Sequence, residues 1–127
     1  MKHILWIGIL CLLATCSPKE NRKTFVYEGN PLIRNNFTAD PATLVHGDRL
    51  YLYAGHDEYY AGQDTASGGR EFNITESLCY STTDMKNWTE HGAVLSPADF
   101  EWAVGEAWAS QVIERDGKFY YYTTVQA

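Results

Sequence analysis

Two segments of the chain repeat one pattern, a tight turn followed by a run of aromatic and aliphatic residues. Residues 47–53 have the sequence GDRLYLY, and residues 116–122 have the sequence DGKFYYY. Gly-Asp and Asp-Gly join antiparallel strands well, and the residues that follow have high strand propensity. Short antiparallel hairpins that recur along a chain are typical of a β-propeller or a similar array of small sheets. The repeat therefore predicts an all-β fold.

The two copies are further apart than the roughly 40–45 residues of one propeller blade. The excess is about the length of residues 55–76, a polar segment in which most residues follow neither a helical nor a strand period. We interpret this segment as a long loop inserted into the first blade, and loops of this kind are often functional. Further strands are predicted at residues 42–45, 50–53, 77–82, 89–95 and 119–125, with another that ends near Ile113.

One acidic residue precedes the first hairpin. Pro41 has a fixed φ and restricts Asp40 to the β or polyproline II region, so one carboxylate is held at the start of the hairpin. In the second copy of the repeat, Ala109 stands at the position of Asp40. The hydrophobic pattern thus recurs without the carboxylate. This difference favours a catalytic acid or base over the structural alternative, an Asx-type turn cap.

The segments at residues 30–31 (NP), 39–41 (ADP), 47–53 (GDRLYLY) and 108–122 (WASQVIERDGKFYYY) resemble glycoside hydrolase family 43. Members of that family are five-bladed β-propellers that hydrolyse xylosides and arabinofuranosides with inversion. The resemblance covers residues 30–127 and implies that this chain supplies roughly the first two blades. It also implies that Asp40 is the general base. Ser110 departs from the family pattern, which has Pro at this position.

The resemblance also suggests residues that contact the sugar. Trp108 corresponds to a Trp that lies against the sugar in relatives, and a core Trp is the alternative. His56 and Asp57 follow the second predicted strand, where loops reach the central pocket of a propeller. Their side chains can bond to sugar hydroxyls, or they belong to an ordinary surface loop. Asp84 and Trp88 match a turn common in the family, and we interpret both as structural.

Inverting hydrolysis requires a second carboxyl group, roughly 6.5–9.5 Å from the base. The resemblance places the acid Glu and a pKa-tuning Asp beyond Ala127, and Glu106 is a poor local substitute for the acid. A propeller is closed by its ring of blades, so two blades leave strand edges and an apolar flank open. We therefore expect the 127-residue chain alone to be inactive and poorly soluble.

Residues 1–16 have the pattern of a lipoprotein signal peptide. A basic start precedes an apolar run at residues 4–14, which is too short to cross a bilayer. Residues 13–16 (LATC) resemble a bacterial lipobox in which Cys16 is lipidated, and an ordinary signal peptide is the alternative. Residues 17–29 are then a tether. The predicted location is the bacterial envelope, either periplasmic or at the cell surface.

Composition excludes some classes of function. The net charge of −6 argues against nucleic-acid binding, and the single Cys79 of the mature chain predicts a buried filler without a disulfide. No cofactor is predicted, although the resemblance allows a structural calcium in the full domain. The expected partner is an oligo- or polysaccharide such as xylan, arabinoxylan or arabinan. Two alternatives to a glycosidase stay open, a non-catalytic carbohydrate-binding propeller and a structural lipoprotein domain.

Overall fold

The computed structural model describes residues 22–58 and 73–127. Their regular structure consists of β-strands and one short 3₁₀ helix, Pro97–Asp99, so the predicted all-β class is confirmed. In this part of the chain no helix is long and apolar enough to cross a membrane. The strands are β1 Lys23–Val26, β2 Phe37–His46, β3 Arg49–Asp57, β4 Ile74–Thr82, β5 Asn87–Leu95, β6 Ala107–Arg115 and β7 Lys118–Val125.

The strands form two antiparallel sheets. The first has the order β1-β5-β4-β3-β2, and the second is the hairpin β6-β7. Strands β2 to β5 run up and down in sequence order, which is the arrangement of one propeller blade, and β6 packs mainly against β2. The described residues therefore contain one four-stranded blade and the first hairpin of the next. This agrees with the prediction of roughly two blades.

Each predicted hairpin has a two-residue turn. His46 pairs with Arg49, and Gly47 between them has a φ of 61°, as a type II′ turn requires. In the second hairpin, Asp116 and Gly117 both have positive φ, 53° and 69°, as in a type I′ turn. These turns match the right-handed twist of the strands that they join. Both hairpins were predictable because Gly and Asp are the residues that such turns favour.

One hydrophobic cluster of the core lies on one face of the first blade. Cross-strand neighbours Leu52 and Tyr80 are buried there, and Tyr80 accepts a hydrogen bond from Asn36 Nδ2 at 3.2 Å. The segment between β1 and β2 covers this face and shields its apolar side chains from water. The buried members of the cluster are Ile33, Leu52, Leu78, Tyr80 and Trp88, with Phe25, Leu32 and Leu50 packed around them.

The opposite side of the second hairpin is open to solvent. Val112 and Tyr121 form a cross-strand pair that faces the first blade, so the residues that alternate with them face away. Ile113, Tyr120 and Tyr122 are accordingly exposed. The apolar flank that the sequence predicted is therefore present among the described residues.

One predicted boundary is wrong. The segment assigned to a tether, residues 17–29, contains β1, which pairs along its full length with β5 from Lys23↔Glu90 to Val26↔Asn87. The strand forms because β5 would otherwise leave its outer edge unpaired. The signal peptide, including Cys16, lies outside the described residues and stays a prediction.

The turn between β4 and β5 is built around Asp84, as the sequence predicted. Its Oδ1 accepts hydrogen bonds from the backbone N–H groups of Lys86 and Asn87 at 2.9 and 2.7 Å, and from Thr82 Oγ1 at 3.1 Å. Its Oδ2 accepts one from Asn87 Nδ2 at 2.6 Å. These bonds stabilise the ionised form, led by the backbone N–H of Asn87, and lower the pKa of Asp84 well below its usual range.

The low pKa of Asp84 predicts a pH-dependent contribution to stability. The carboxylate stabilises the fold fully above its unfolded pKa, about 3.9, and this contribution is lost as pH falls towards the folded value. We expect Asp84→Ala to lower the urea midpoint at pH 7, and the difference from wild type to shrink below about pH 4. Asp48→Ala, in the exposed β2–β3 turn, is the control. A deficit of Asp84→Ala that stays constant down to pH 2 would contradict this assignment.

Candidate active site

Asp40 lies in a bulge of the inner strand β2. Ala39 pairs with Gly55 and Ala42 with Tyr53, so Asp40 and Pro41 together stand opposite one residue of β3. Asp40 has a φ of 51°, and the prediction that Pro41 holds it in the β or polyproline II region is wrong. The strand pairs on both sides impose the bulge, which outweighs the preference of a residue before proline. Asp also tolerates positive φ better than most residues.

The bulge leaves the carboxylate of Asp40 exposed. No hydrogen bond or ion pair to it is found within residues 22–58 and 73–127, so these residues do not show the Asx-type cap that was its structural alternative. Left-handed backbone at a non-glycine residue costs about 1–2 kcal/mol. Bulges are common beside active sites, where they re-aim a side chain. An exposed carboxylate of this kind is available to accept a proton from water.

Trp108 occupies a matching bulge in β6. Ala107 pairs with Val125 and Ser110 with Thr123, so Trp108 and Ala109 stand opposite a single residue of β7. The carbonyl of Trp108 accepts a hydrogen bond from Thr123 Oγ1 at 3.1 Å, which holds the bulged backbone in place. The side chain is only partly buried. Trp108 therefore keeps an accessible surface, as a sugar platform requires.

The two inner strands place these bulges at the same end of the sheets. At the other end, His46 Nδ1 lies 2.7 Å from Glu114 Oε2, which links the hairpin ends of β2 and β6. Asp40 precedes His46 by as many residues as Trp108 precedes Glu114. Because the rise per residue is similar along both strands, Asp40 and Trp108 lie at a similar height on neighbouring blades.

His56 lies within β3 rather than in the loop after it, because β3 continues to Asp57. It pairs with Thr38 of β2, so it belongs to the same end of the blade as the Asp40 bulge. Its Nδ1 lies 3.0 Å from Glu76 Oε1 on β4, and its side chain is 19% exposed. Sequence reasoning missed Glu76, because residues 72–76 had no clear strand pattern. No local sequence pattern indicates this contact, because the register between β3 and β4 sets it.

Asp57 and Glu58 both bond to Asn73, the first residue of the second described range. Asp57 Oδ1 accepts a hydrogen bond from the backbone N–H of Asn73 at 3.2 Å, and Glu58 N donates to Asn73 O at 2.9 Å. One oxygen of Asp57 is thus already bonded to a backbone N–H group. Its role in sugar binding stays a prediction. The predicted long loop lies mostly at residues 59–72, outside the described residues.

Cys79 is the buried filler that the sequence predicted, with 5% of its surface exposed. Burial raises its pKa to about 11, and burial followed by the nearby Cys79 raises the pKa of Tyr53 to about 12. Both groups are therefore neutral at neutral pH. Tyr53 also makes an edge contact with Tyr121, with ring centroids 5.6 Å apart. These residues pack the two blades together and do not supply a nucleophile.

Within the described ranges, no group of three or more His, Cys, Asp or Glu side chains is arranged to hold a metal ion. The structural calcium that the resemblance allows in the full domain stays a prediction. Glu106, the poor substitute for an acid, immediately precedes β6. Its carbonyl accepts a hydrogen bond from Gln126 N at 2.9 Å.

Comparison with known proteins extends the structural picture. The family model for glycosyl hydrolases family 43 matches residues 28–127. A xylosidase/arabinosidase of Bacteroides ovatus is 37% identical over 93 residues, which cover 72% of this chain and 28% of that protein. An arabinoxylan arabinofuranohydrolase of Bacillus subtilis is 30% identical over 138 residues, covering 93% of this chain and 27% of that protein.

Solved structures agree in both sequence and fold. A family 43 β-xylosidase/α-arabinofuranosidase from a compost metagenome, in complex with xylotriose, superposes with a TM-score of 0.66 at 30% identity. The match covers 82% of this chain and 31% of that one. The β-xylosidase RS223 matches with a TM-score of 0.63 at 34% identity, covering 72% of this chain and 28% of that one. The chain thus spans less than a third of the length of these relatives, and its strands correspond to the first blades of their five-bladed propeller. Together with the match over residues 28–127, this shows that the chain belongs to glycosyl hydrolases family 43.

Proposed function

We propose that the complete protein hydrolyses xylosidic or arabinofuranosidic bonds of plant polysaccharides with inversion, and that Asp40 is its general base. The observation that carries this proposal is the exposed Asp40 carboxylate at a φ of 51° in the bulged inner strand. The family supports the reaction class, because matching relatives are named xylosidase/arabinosidase and arabinoxylan arabinofuranohydrolase. One relative is solved with bound xylotriose.

In this mechanism a water molecule lies between Asp40 and the anomeric carbon. The Asp40 carboxylate accepts a proton from the water as its oxygen attacks, and an acid on the opposite side of the sugar protonates the leaving oxygen. Attack from the face opposite the leaving group inverts the anomeric configuration. We assign the acid to a blade outside the described residues, as the family resemblance implies.

The remaining site residues bind the sugar in this proposal. Trp108 on the neighbouring blade offers a partly exposed indole against which a sugar ring can stack. His56, at the same end of β3, offers a ring nitrogen to a sugar hydroxyl. These contacts hold the anomeric carbon near Asp40, which converts the attack of water into an oriented, intramolecular step. The polymer that supplies the sugar is xylan, arabinoxylan or arabinan.

Product stereochemistry tests the proposal. The complete protein should hydrolyse an aryl β-D-xyloside or an aryl α-L-arabinofuranoside, and ¹H NMR of the first minutes should show the inverted anomer before mutarotation. First release of the retained anomer would contradict the assignment of Asp40 as a base, because retaining enzymes use that carboxylate as a nucleophile. Binding of xylo-oligosaccharides without hydrolysis of either substrate would favour the carbohydrate-binding alternative.

A further inference from the structure

A histidine and a glutamate are paired directly across the first blade. His56 on β3 and Glu76 on β4 are register partners, and Nδ1 lies 3.0 Å from Oε1. The two side chains are 19% and 34% exposed, so the pair is partly shielded from water. A second carboxylate, Glu58, has its Oε1 3.9 Å from the same nitrogen and is half exposed. Among the described residues, the two carboxylate oxygens near the imidazole both lie on its Nδ1 side.

This contact determines which ring nitrogen carries the proton. An ionised carboxylate can only accept a hydrogen bond, so the proton of a neutral His56 ring must lie on Nδ1 to reach Glu76. Nε2 is then an acceptor. Within residues 22–58 and 73–127, no hydrogen bond to Nε2 is found. A hydroxyl group that approaches the ring from that side would meet a lone pair in a defined direction.

The pair lies at the end of the blade that carries the proposed base. Thr38 of β2 pairs with His56, which pairs in turn with Glu76, so the three residues form one row across three strands. The Asp40 bulge follows Thr38 by two positions in the same inner strand. Glu76 stands one strand behind His56, about 4.8 Å further from the inner strand. Glu76 is thus placed to act on a ligand through the histidine.

We propose that Glu76 is a positioning residue for substrate binding. It holds His56 with the proton on Nδ1 and the ring in one orientation, so that Nε2 accepts a hydrogen bond from a sugar hydroxyl. This inference rests on the proposed glycosidase function. It goes beyond it by assigning a role to a residue on the third strand of the blade. Partners behind a functional histidine commonly fix its tautomer and orientation in this way.

The chain contains a matched control for this experiment. His46 and Glu114 form the same kind of pair at 2.7 Å, but at the hairpin end of the two inner strands, away from Asp40. Glu76→Ala and Glu114→Ala each remove one carboxylate from one histidine. A purely structural role predicts similar losses in urea midpoint and unchanged kinetics for both variants. Kinetics on an aryl xyloside or arabinofuranoside therefore separate positioning from stability.

In the complete protein, we expect Glu76→Ala to lower kcat/KM about tenfold, mainly through KM, because one oriented hydrogen bond to the substrate is lost. Glu114→Ala should leave kcat/KM close to wild type. Glu76→Gln should recover much of the loss, since its side-chain oxygen still accepts from Nδ1. In a His56→Ala background, Glu76→Ala should have no further effect on kcat/KM, because Glu76 acts through His56.

Three results would overturn the proposal. The first is a kcat/KM of Glu76→Ala equal to that of Glu114→Ala. The second is a kcat/KM of Glu76→Gln no higher than that of Glu76→Ala. The third is a Glu76→Ala substitution that lowers kcat/KM equally with and without His56. Hydrolysis by the wild-type protein is measured first. A wild type that hydrolyses neither substrate refutes the proposed function, and this inference with it. If the wild type is active and the variants give any of these three results, only the role of Glu76 is refuted.

Discussion

Asp40→Asn is expected to lower kcat of the complete protein by about 10²–10⁴-fold, the range that general acid–base catalysis contributes. The amide keeps the shape of the carboxylate but cannot accept a proton from water. Asn also tolerates positive φ, so the bulge at φ 51° should persist. KM should change little, because the lost interaction is made mainly in the transition state. Steady-state kinetics on an aryl xyloside or arabinofuranoside measure both constants.

Asp116→Asn is the matched control for this variant. Asp116 is also exposed, and its φ of 53° is close to that of Asp40, but it lies in the β6–β7 turn at the other end of the blade. Its replacement should leave kcat near wild type. The assignment of the base fails if Asp40→Asn retains more than a tenth of the wild-type kcat, or if both variants lose activity equally.

Trp88→Ala is expected to give the largest loss of stability, about 3–5 kcal/mol in the free energy of unfolding. Trp88 is 3% exposed, and its ring stacks on Phe25 with centroids 6.5 Å apart. Its Nε1 also donates a hydrogen bond to Met85 O at 3.3 Å, which ties the β4–β5 turn to the core. Truncation removes the packing and leaves a cavity beside Tyr80. Urea unfolding of the complete protein measures the change.

Trp102→Ala provides the comparison for Trp88→Ala. Trp102 is 57% exposed and contacts Phe100 on the surface, with ring centroids 5.2 Å apart. Its replacement should change the free energy of unfolding by no more than about 0.5 kcal/mol, as for most surface sites. Equal losses at the two positions would show that Trp88 does not have the structural role assigned to it.

The features that sequence reasoning predicted correctly depend on local chemistry. Gly47 and Asp116-Gly117 supply the positive φ that two-residue hairpins need, so both hairpins could be located from turn residues and the strand propensities around them. Asp84 could be recognised because its bonds reach backbone groups only two and three residues away. Such interactions are encoded within a few neighbouring residues.

The errors concern residues whose conformation depends on distant strands. β3 was predicted to end at Tyr53, yet it continues to Asp57 because β2 and β4 supply partners on both sides. The same long-range pairing gives β1 a place against β5. It also brings His56 and Glu76, which are separated by the segment 59–72, into one row across the sheet. The end of β3 and all of β1 therefore form strands, because neighbouring strands supply their backbone partners, although their local sequences do not predict it.

By itself, the sequence determined the all-β class, the repeated hairpins, the turn around Asp84 and the position of a lone carboxylate before the first hairpin. Only the tertiary structure decided how that carboxylate is presented. Pro41 favours an extended Asp40, but pairing of β2 with β3 on both sides of the bulge holds its φ at 51°. Cross-strand register, a long-range property, likewise decided that His56 contacts Glu76. Local preferences select the elements, whereas register and bulges between strands determine which side chains meet.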